Sequence, residues 1–138
     1  MKKLAVLLDT SFIIALNNVK DANYKNAQAI KILLKNKESG QSYISDYIFD
    51  ELVTFLLAKS FPIRSIHEIG DALLAEESIT FLKVDAEIFQ KAWDLFKKFN
   101  ALSFTDCTSI ILAQEYNIKN IASFDADFDR MSFLRRLC

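Results

Sequence analysis

The sequence predicts a three-layer α/β/α domain with a mainly parallel central sheet. Two features carry that prediction. Apolar, strand-like segments alternate with amphipathic, helix-like ones, and the first segment, Leu4-Ala5-Val6-Leu7-Leu8, is apolar at every position. Uninterrupted apolar runs suit strands covered on both faces, which are characteristically parallel, and parallel neighbours must be joined by crossover helices. With 138 residues, 51% of them hydrophobic, the chain has the size and composition of one domain, residues 1–138, that buries a core without disulfide or metal staples.

After the strand at 4–8 come Asp9-Thr10-Ser11, three N-cap candidates ahead of the apolar segment 12–16, so a strand-to-helix turn is expected. Asp21 is placed to cap a helix over 22–37. There Tyr24, Ala27, Ile30 and Leu34 recur near helical spacing, Lys25, Lys31, Lys35 and Lys37 face solvent, and Gly40 follows the end. A short strand is expected over 42–45. It leads into a helix capped by Asp46, with Phe49, Leu52, Val53 and Leu56 as the buried stripe and Glu51 turned away from it.

Pro62 marks a break, and Ser65-Ile66-His67-Glu68 has the spacing of a capping box for a helix reaching Glu76. Residues 79–84 read as a strand, and Asp85 as the cap of a helix to Asn100 that turns Ile88, Ala92, Leu95 and Phe99 inward. Ser103-Phe104-Thr105-Asp106 opens a further helix, which Asn117 ends. Residues 120–123 form a short strand, Asp125, Asp127 and Asp129 crowd one turn, and Phe133-Leu134 begins a last edge strand.

A net charge of −1 gives no global basic field, so a polyanionic partner must meet local patches. Cys107 and Cys138 are the two cysteines, without a CxxC pair or a His cluster, so free thiols are expected rather than a disulfide framework or a zinc site. The run at 4–8 is too short to span a bilayer and is broken by Asp9, so no membrane association and a cytoplasmic location are expected.

In an open parallel sheet the functional crevice lies beyond the carboxyl ends of the strands, where the strand order reverses. Asp9 and Asp125 fall there; Asp106 opens a helix, and Glu51 sits on the solvent side of another. Helix capping, worth about 1 kcal/mol, is an equally adequate account of Asp9, Asp106 and Asp125 taken singly.

The chain resembles the PIN-domain ribonucleases, which include the VapC-type toxins of toxin–antitoxin pairs. Leu7-Leu8-Asp9-Thr10-Ser11 is similar to the family's opening strand and first metal-binding Asp. Ser45-Asp46-Tyr47-Ile48-Phe49-Asp50-Glu51-Leu52 is similar to the helix bearing the second acid, which falls on Glu51 rather than Asp50. Leu102-Ser103-Phe104-Thr105-Asp106 and Ile121-Ala122-Ser123-Phe124-Asp125-Ala126-Asp127-Phe128 resemble the segments supplying the third and fourth acids. Position 123 is Ser where similar sequences often carry Thr, which preserves a hydroxyl.

The resemblance implies that Asp9, Glu51, Asp106 and Asp125, with Asp127 as a further candidate, bind divalent metal and serve catalysis. It also implies a homodimer and a cognate antitoxin that covers the crevice. All-oxygen donors suit Mg²⁺ or Mn²⁺, some of them through water. Two carboxylates 5 Å apart repel by about 3 kcal/mol at an effective dielectric near 20, so such a cluster needs a cation. The reaction implied is hydrolysis of RNA phosphodiester bonds by a metal-activated water. Thr10, Ser11 and Thr105 are candidates for orienting the carboxylates, with capping as the plainer role. Lys35, Lys37, Lys97, Lys98, Arg135 and Arg136 are the local cations for substrate phosphates. His67 and Trp93 are expected at the surface, in the core or at an interface rather than in the chemistry.

A phosphoacceptor of the haloacid-dehalogenase type needs a second Asp where Ser11 stands, and a receiver needs a paired acid before its phosphoacceptor, so neither pattern is complete. The remaining rival is a catalytically silent PIN-like module that binds RNA or protein.

Overall fold

The computed structural model describes residues 4–36 and 39–138. Its centre is a five-stranded sheet in the order β3-β2-β1-β4-β5, with every neighbouring pair parallel. The strands are β1 (Leu4–Leu8), β2 (Ser39–Ser45), β3 (Ile79–Leu82), β4 (Asn120–Ala122) and β5 (Arg135–Leu137). The helices are α1 (Thr10–Leu16), α2 (Tyr24–Lys35), α3 (Asp46–Ala58), α4 (Ile63–Ala75), α5 (Ala86–Lys98) and α6 (Phe104–Glu115). They flank the sheet to give the expected three layers.

β1 is the central strand because its side chains are apolar on both faces: Val6 and Leu7 are fully buried and Leu8 nearly so. Around it pack Phe12, Ile13, Ile44, Ile48, Leu52, Leu56, Ile110, Leu112, Ile118, Ile121 and Phe128. The order of strands reverses across β1. β2 and β3 lie to one side and β4 and β5 to the other, so the carboxyl ends of β1 and β4 open a crevice between divergent connections.

Several helix starts differ from the sequence reading. Asp21 does not cap α2; its Oδ1 accepts from the Asn23 N–H at 2.8 Å, forming a turn that delays the helix to Tyr24. Ser45 rather than Asp46 caps α3, accepting from the Ile48 N–H at 3.0 Å, because Ser45 is the last extended residue of β2. Asp46 instead accepts from the Val84 N–H and ties α3 to the segment after β3. The Ser65–Glu68 capping box does not form, since the chain leaves Pro62 already set for helix at Ile63.

Gly40 does not end α2 but lies within β2, which is longer than expected. The edge strand starts at Arg135, not Phe133; Leu134 turns into the core before pairing begins. Asp85 caps α5 as expected, through the Ile88 N–H. Asn117 follows the last turn of α6 with φ 54°, a left-handed conformation that Asn tolerates. Lys37 lies outside the described residues.

Trp93 and Phe89 on α5 are almost half exposed and meet Phe104 and Phe96 in a surface aromatic cluster rather than in the core. His67 is exposed, Cys107 is a buried free thiol and Cys138 an exposed one. Among the described residues no helix is long and apolar enough to cross a membrane.

Because β1 packs on both faces, truncation there leaves a cavity that neither layer fills. Leu7→Ala is expected to lower unfolding stability by about 2–5 kcal/mol, measured as a shift of the urea midpoint with an unchanged slope.

Candidate active site

Asp9 is the first residue past β1. Its backbone N–H continues the ladder to the Ala122 carbonyl at 3.0 Å, and its own carbonyl receives the first N–H groups of α1. Its side chain takes no part in capping. Instead Oδ2 accepts from Ser11 Oγ at 2.8 Å and from Ser123 Oγ at 2.7 Å, and the residue is 4% exposed. Each hydroxyl also accepts a backbone N–H, Ser11 from Phe124 and Ser123 from Asp125, both at 3.0 Å. Two serines thus connect the carboxyl end of β1 to the loop that carries Asp125.

Asp106 and Asp125 do serve as structural acceptors. Asp106 completes a capping box with Ser103 at the start of α6. Asp125 Oδ1 accepts from the Asp127 N–H at 2.9 Å and opens a short 3₁₀ turn, Ala126–Arg130. In all three aspartates these hydrogen bonds fall on one carboxylate oxygen. Capping and lining the crevice are therefore compatible: the hydrogen bonds that fix these side chains also hold them at the crevice.

Asp9, Glu51, Asp106 and Asp125 all line one crevice, together with Thr10, Ser11, Ile14 and Phe55. Glu51 reaches it because it lies off the buried stripe of α3, and the Thr10 and Thr105 hydroxyls neighbour its carboxylate. Thr10 is 6% exposed, and although it lies near enough to favour a charged Glu51, its Oγ1 has no partner at hydrogen-bonding geometry. Asp127 is outside the lining and faces Arg130 at 4.0 Å.

Arg136 is committed elsewhere. It grips Asp129 through two nitrogens at 3.0 and 3.1 Å and donates to the Ser123 carbonyl at 3.3 Å. Lys97 pairs with Asp94, while Lys35, Lys98 and Arg135 are exposed. The sequence reading missed the structural part of Ser123, whose signal was a small hydroxyl residue at a strand's carboxyl end two positions before an acid. It also missed Phe55.

Burial pushes the Asp9 and Glu51 carboxyls above their ordinary range, and Glu51 is raised further by the charges of Asp9 and Asp125. Asp106 is pushed up to about 7 by burial first, then by Asp9, Asp125 and Glu51. The crevice is an electrostatic deficit that a cation would relieve. Its donors are carboxylates and hydroxyls, the chemistry of a hard divalent ion, and the unpartnered Thr10 Oγ1 is one more oxygen beside it. Among the described residues no three acidic, His or Cys side chains form a group able to hold an ion alone. An ion there would take one or two carboxylates and keep water in the rest of its shell.

The chain was also compared with known proteins as a whole. A family model described as PIN domain matches residues 6–134. The chain belongs to the PIN domain family. Nucleases of this family generally use divalent metal ions.

Two relatives are each 27% identical to this PIN domain. The VapC ribonuclease of Archaeoglobus fulgidus matches over 128 residues, 91% of this chain and 80% of the relative. The 23S rRNA-specific endonuclease VapC20 of Mycobacterium tuberculosis matches over 134 residues, 94% of this chain and 95% of the relative. The crystal structure of VapC20, a sarcin–ricin loop cleaving toxin, is similar at a TM-score of 0.80 and 24% identity, covering 94% of this chain and 96% of that one. A toxin–antitoxin complex from Klebsiella pneumoniae shares the fold at a TM-score of 0.65 and 17% identity, with 94% of each chain covered.

An acid whose pKa rises on folding binds its proton more tightly in the folded chain. Its stabilising effect is complete below the unfolded value of 3.8 and is lost as pH rises through about 7 for Asp106. Asp9 and Glu51 act in the same direction. The melting temperature of the metal-free PIN domain is therefore expected to fall between pH 5 and pH 8, by about 4 °C for each kcal/mol lost. Asp106→Asn should flatten that profile and Mg²⁺ should oppose the fall; a wild-type profile without the fall would contradict the crowding of charge.

Proposed function

We propose that this protein is a divalent-metal-dependent endoribonuclease, the toxin of a toxin–antitoxin pair. The observation that carries the reading is the convergence of Asp9, Glu51, Asp106 and Asp125 on one crevice at the switch point of the sheet. The names of the relatives, VapC ribonuclease and 23S rRNA-specific endonuclease, support RNA as the substrate. The Klebsiella complex supports a small antitoxin as partner. A homodimer and a cytoplasmic location belong to the same proposal, as does one domain over residues 1–138.

The site residues are Asp9, Glu51, Asp106 and Asp125. Asp127 is set aside because it faces Arg130. When Mg²⁺ or Mn²⁺ is bound, it supplies Lewis-acid activation of water and neutralises phosphate charge. The chain's own groups fix the geometry. Ser11 and Ser123 hold Asp9 Oδ2, Ser103 holds Asp106, and the Asp127 N–H holds Asp125, so the acids face the crevice without rearranging. The Thr10 and Thr105 hydroxyls lie beside Glu51 and favour its charged form. Ile14 and Phe55 form an apolar wall that limits bulk water at the reacting phosphate.

The rival, a catalytically silent module, draws on the lack of a ready-made group of three ligands. The experiment that separates the two is cleavage of a pool of structured RNAs with Mg²⁺ or Mn²⁺. Cutting should vanish with EDTA, and folded Asp9→Asn and Asp106→Asn should each lose roughly 100-fold or more. No cutting by folded wild-type protein with either metal would establish the silent module instead.

A further inference from the structure

Glu51 stands in the middle of a stripe along α3. Tyr47, Glu51, Phe55 and Lys59 follow one another at four-residue intervals, which sets side chains along one helix face with a rise of about 6 Å per step. Contacts tie Glu51, Phe55 and Lys59 together on that face. Glu51 and Phe55 line the crevice together, and the Lys59 ammonium lies 5.8 Å from the centroid of the Phe55 ring. Tyr47 packs against Phe104 with ring centroids 6.1 Å apart, and Phe104 precedes Thr105, whose hydroxyl neighbours Glu51. Phe55 thus lines the acidic crevice with Glu51 and has Lys59 beyond it, while Tyr47, one turn before Glu51, and Phe104, one residue before Thr105, also pack against Phe89 of α5. Tyr47, Phe55 and Phe104 are partly exposed and Lys59 is exposed.

We propose that this face is a track for an unpaired stretch of RNA. Bases on the two sides of the scissile phosphate stack on the Tyr47–Phe104 pair and on Phe55, and Lys59 receives a backbone phosphate. The inference rests on the ribonuclease reading and deepens it.

The chain carries a net charge of −1 and the crevice is acidic, so attraction of phosphates alone gives little affinity at its edge. Stacking on aromatic rings is independent of charge and tolerant of sequence, because every base has a π face. It requires unpaired bases, since a duplex keeps its bases stacked on each other. The alternation along α3 also favours a nucleotide strand over an apolar protein surface. A protein laid on this stripe would cover Glu51 between the rings and Lys59 beyond them, whereas a strand brings bases and phosphates in alternation.

The test uses fluorescein-labelled RNA of mixed sequence, as a single strand and as its duplex, bound to Asp9→Asn protein so that affinity is read without cleavage. The single strand should bind more tightly than the duplex. Tyr47→Leu and Phe55→Leu, which keep apolar packing and are checked for an unchanged melting temperature, should each weaken binding by roughly 5- to 100-fold. Tyr47→Phe and Phe55→Tyr should retain affinity. Lys59→Ala should reduce the slope of log affinity against log salt by about 0.7.

Unchanged affinity in folded Tyr47→Leu and Phe55→Leu overturns the track, as does a change confined to their oligomeric state, which would mark the face as a protein interface. If the wild type still cuts RNA in that case, the ribonuclease reading survives the loss of the track. If folded wild-type protein neither cuts nor binds RNA, both fall.

Discussion

Everything distinctive about this molecule follows from packing several carboxylates into one crevice of an otherwise apolar fold. Placing negative charge at the end of a buried strand is unfavourable unless hydrogen bonds or a cation answer it. Asp9 shows the first remedy: it is almost inaccessible, yet two serine hydroxyls from different segments hold the same carboxylate oxygen. The second remedy is left open, and the raised values of Asp9, Glu51 and Asp106 record it. The scaffold holds the acids, and the scaffold's stability is coupled to whatever neutralises them.

The sheet explains why the acids meet where they do. Because β1 lies between β2 and β4, the loops leaving β1 and β4 are adjacent although they are distant in sequence. Asp9 and Asp125 come from those two loops. Glu51 and Asp106 come from helices that approach the same opening, one along its side and one by its first turn. The arrangement leaves one oxygen of each aspartate in the framework, so local capping chemistry and the site's geometry use the same residues.

Much of this was legible in the sequence where one physical force dominates. The run 4–8 could only be a doubly covered strand, and Asp85 capped α5 as a simple spacing argument required. What escaped were contests between near-equal local partners. Ser45 and Asp46 are both good caps, and the extended backbone at the end of β2 decided between them. Asp21 was drawn into a turn with Asn23, and Pro62 started a helix before Ser65 could. At the site, the four acids were legible as a resemblance, but the part of Ser123 depended on a contact with a residue 114 positions away. Asp125 and Asp127 looked alike in the sequence, and it is the fold that sets the first in the crevice lining and the second beside Arg130.

That long reach has a consequence for the order in which the protein comes into being. Asp9 leaves the ribosome early, but Ser123 and the β4 ladder that hold it are made near the other end of the chain. β2 can pair with β1 long before then, so a nascent chain builds half of the sheet with its first acid still unanchored. The crevice closes only when the last strands arrive. An enzyme that cuts RNA while being translated from RNA would in this way stay inert until Ser123 and β4 have been made.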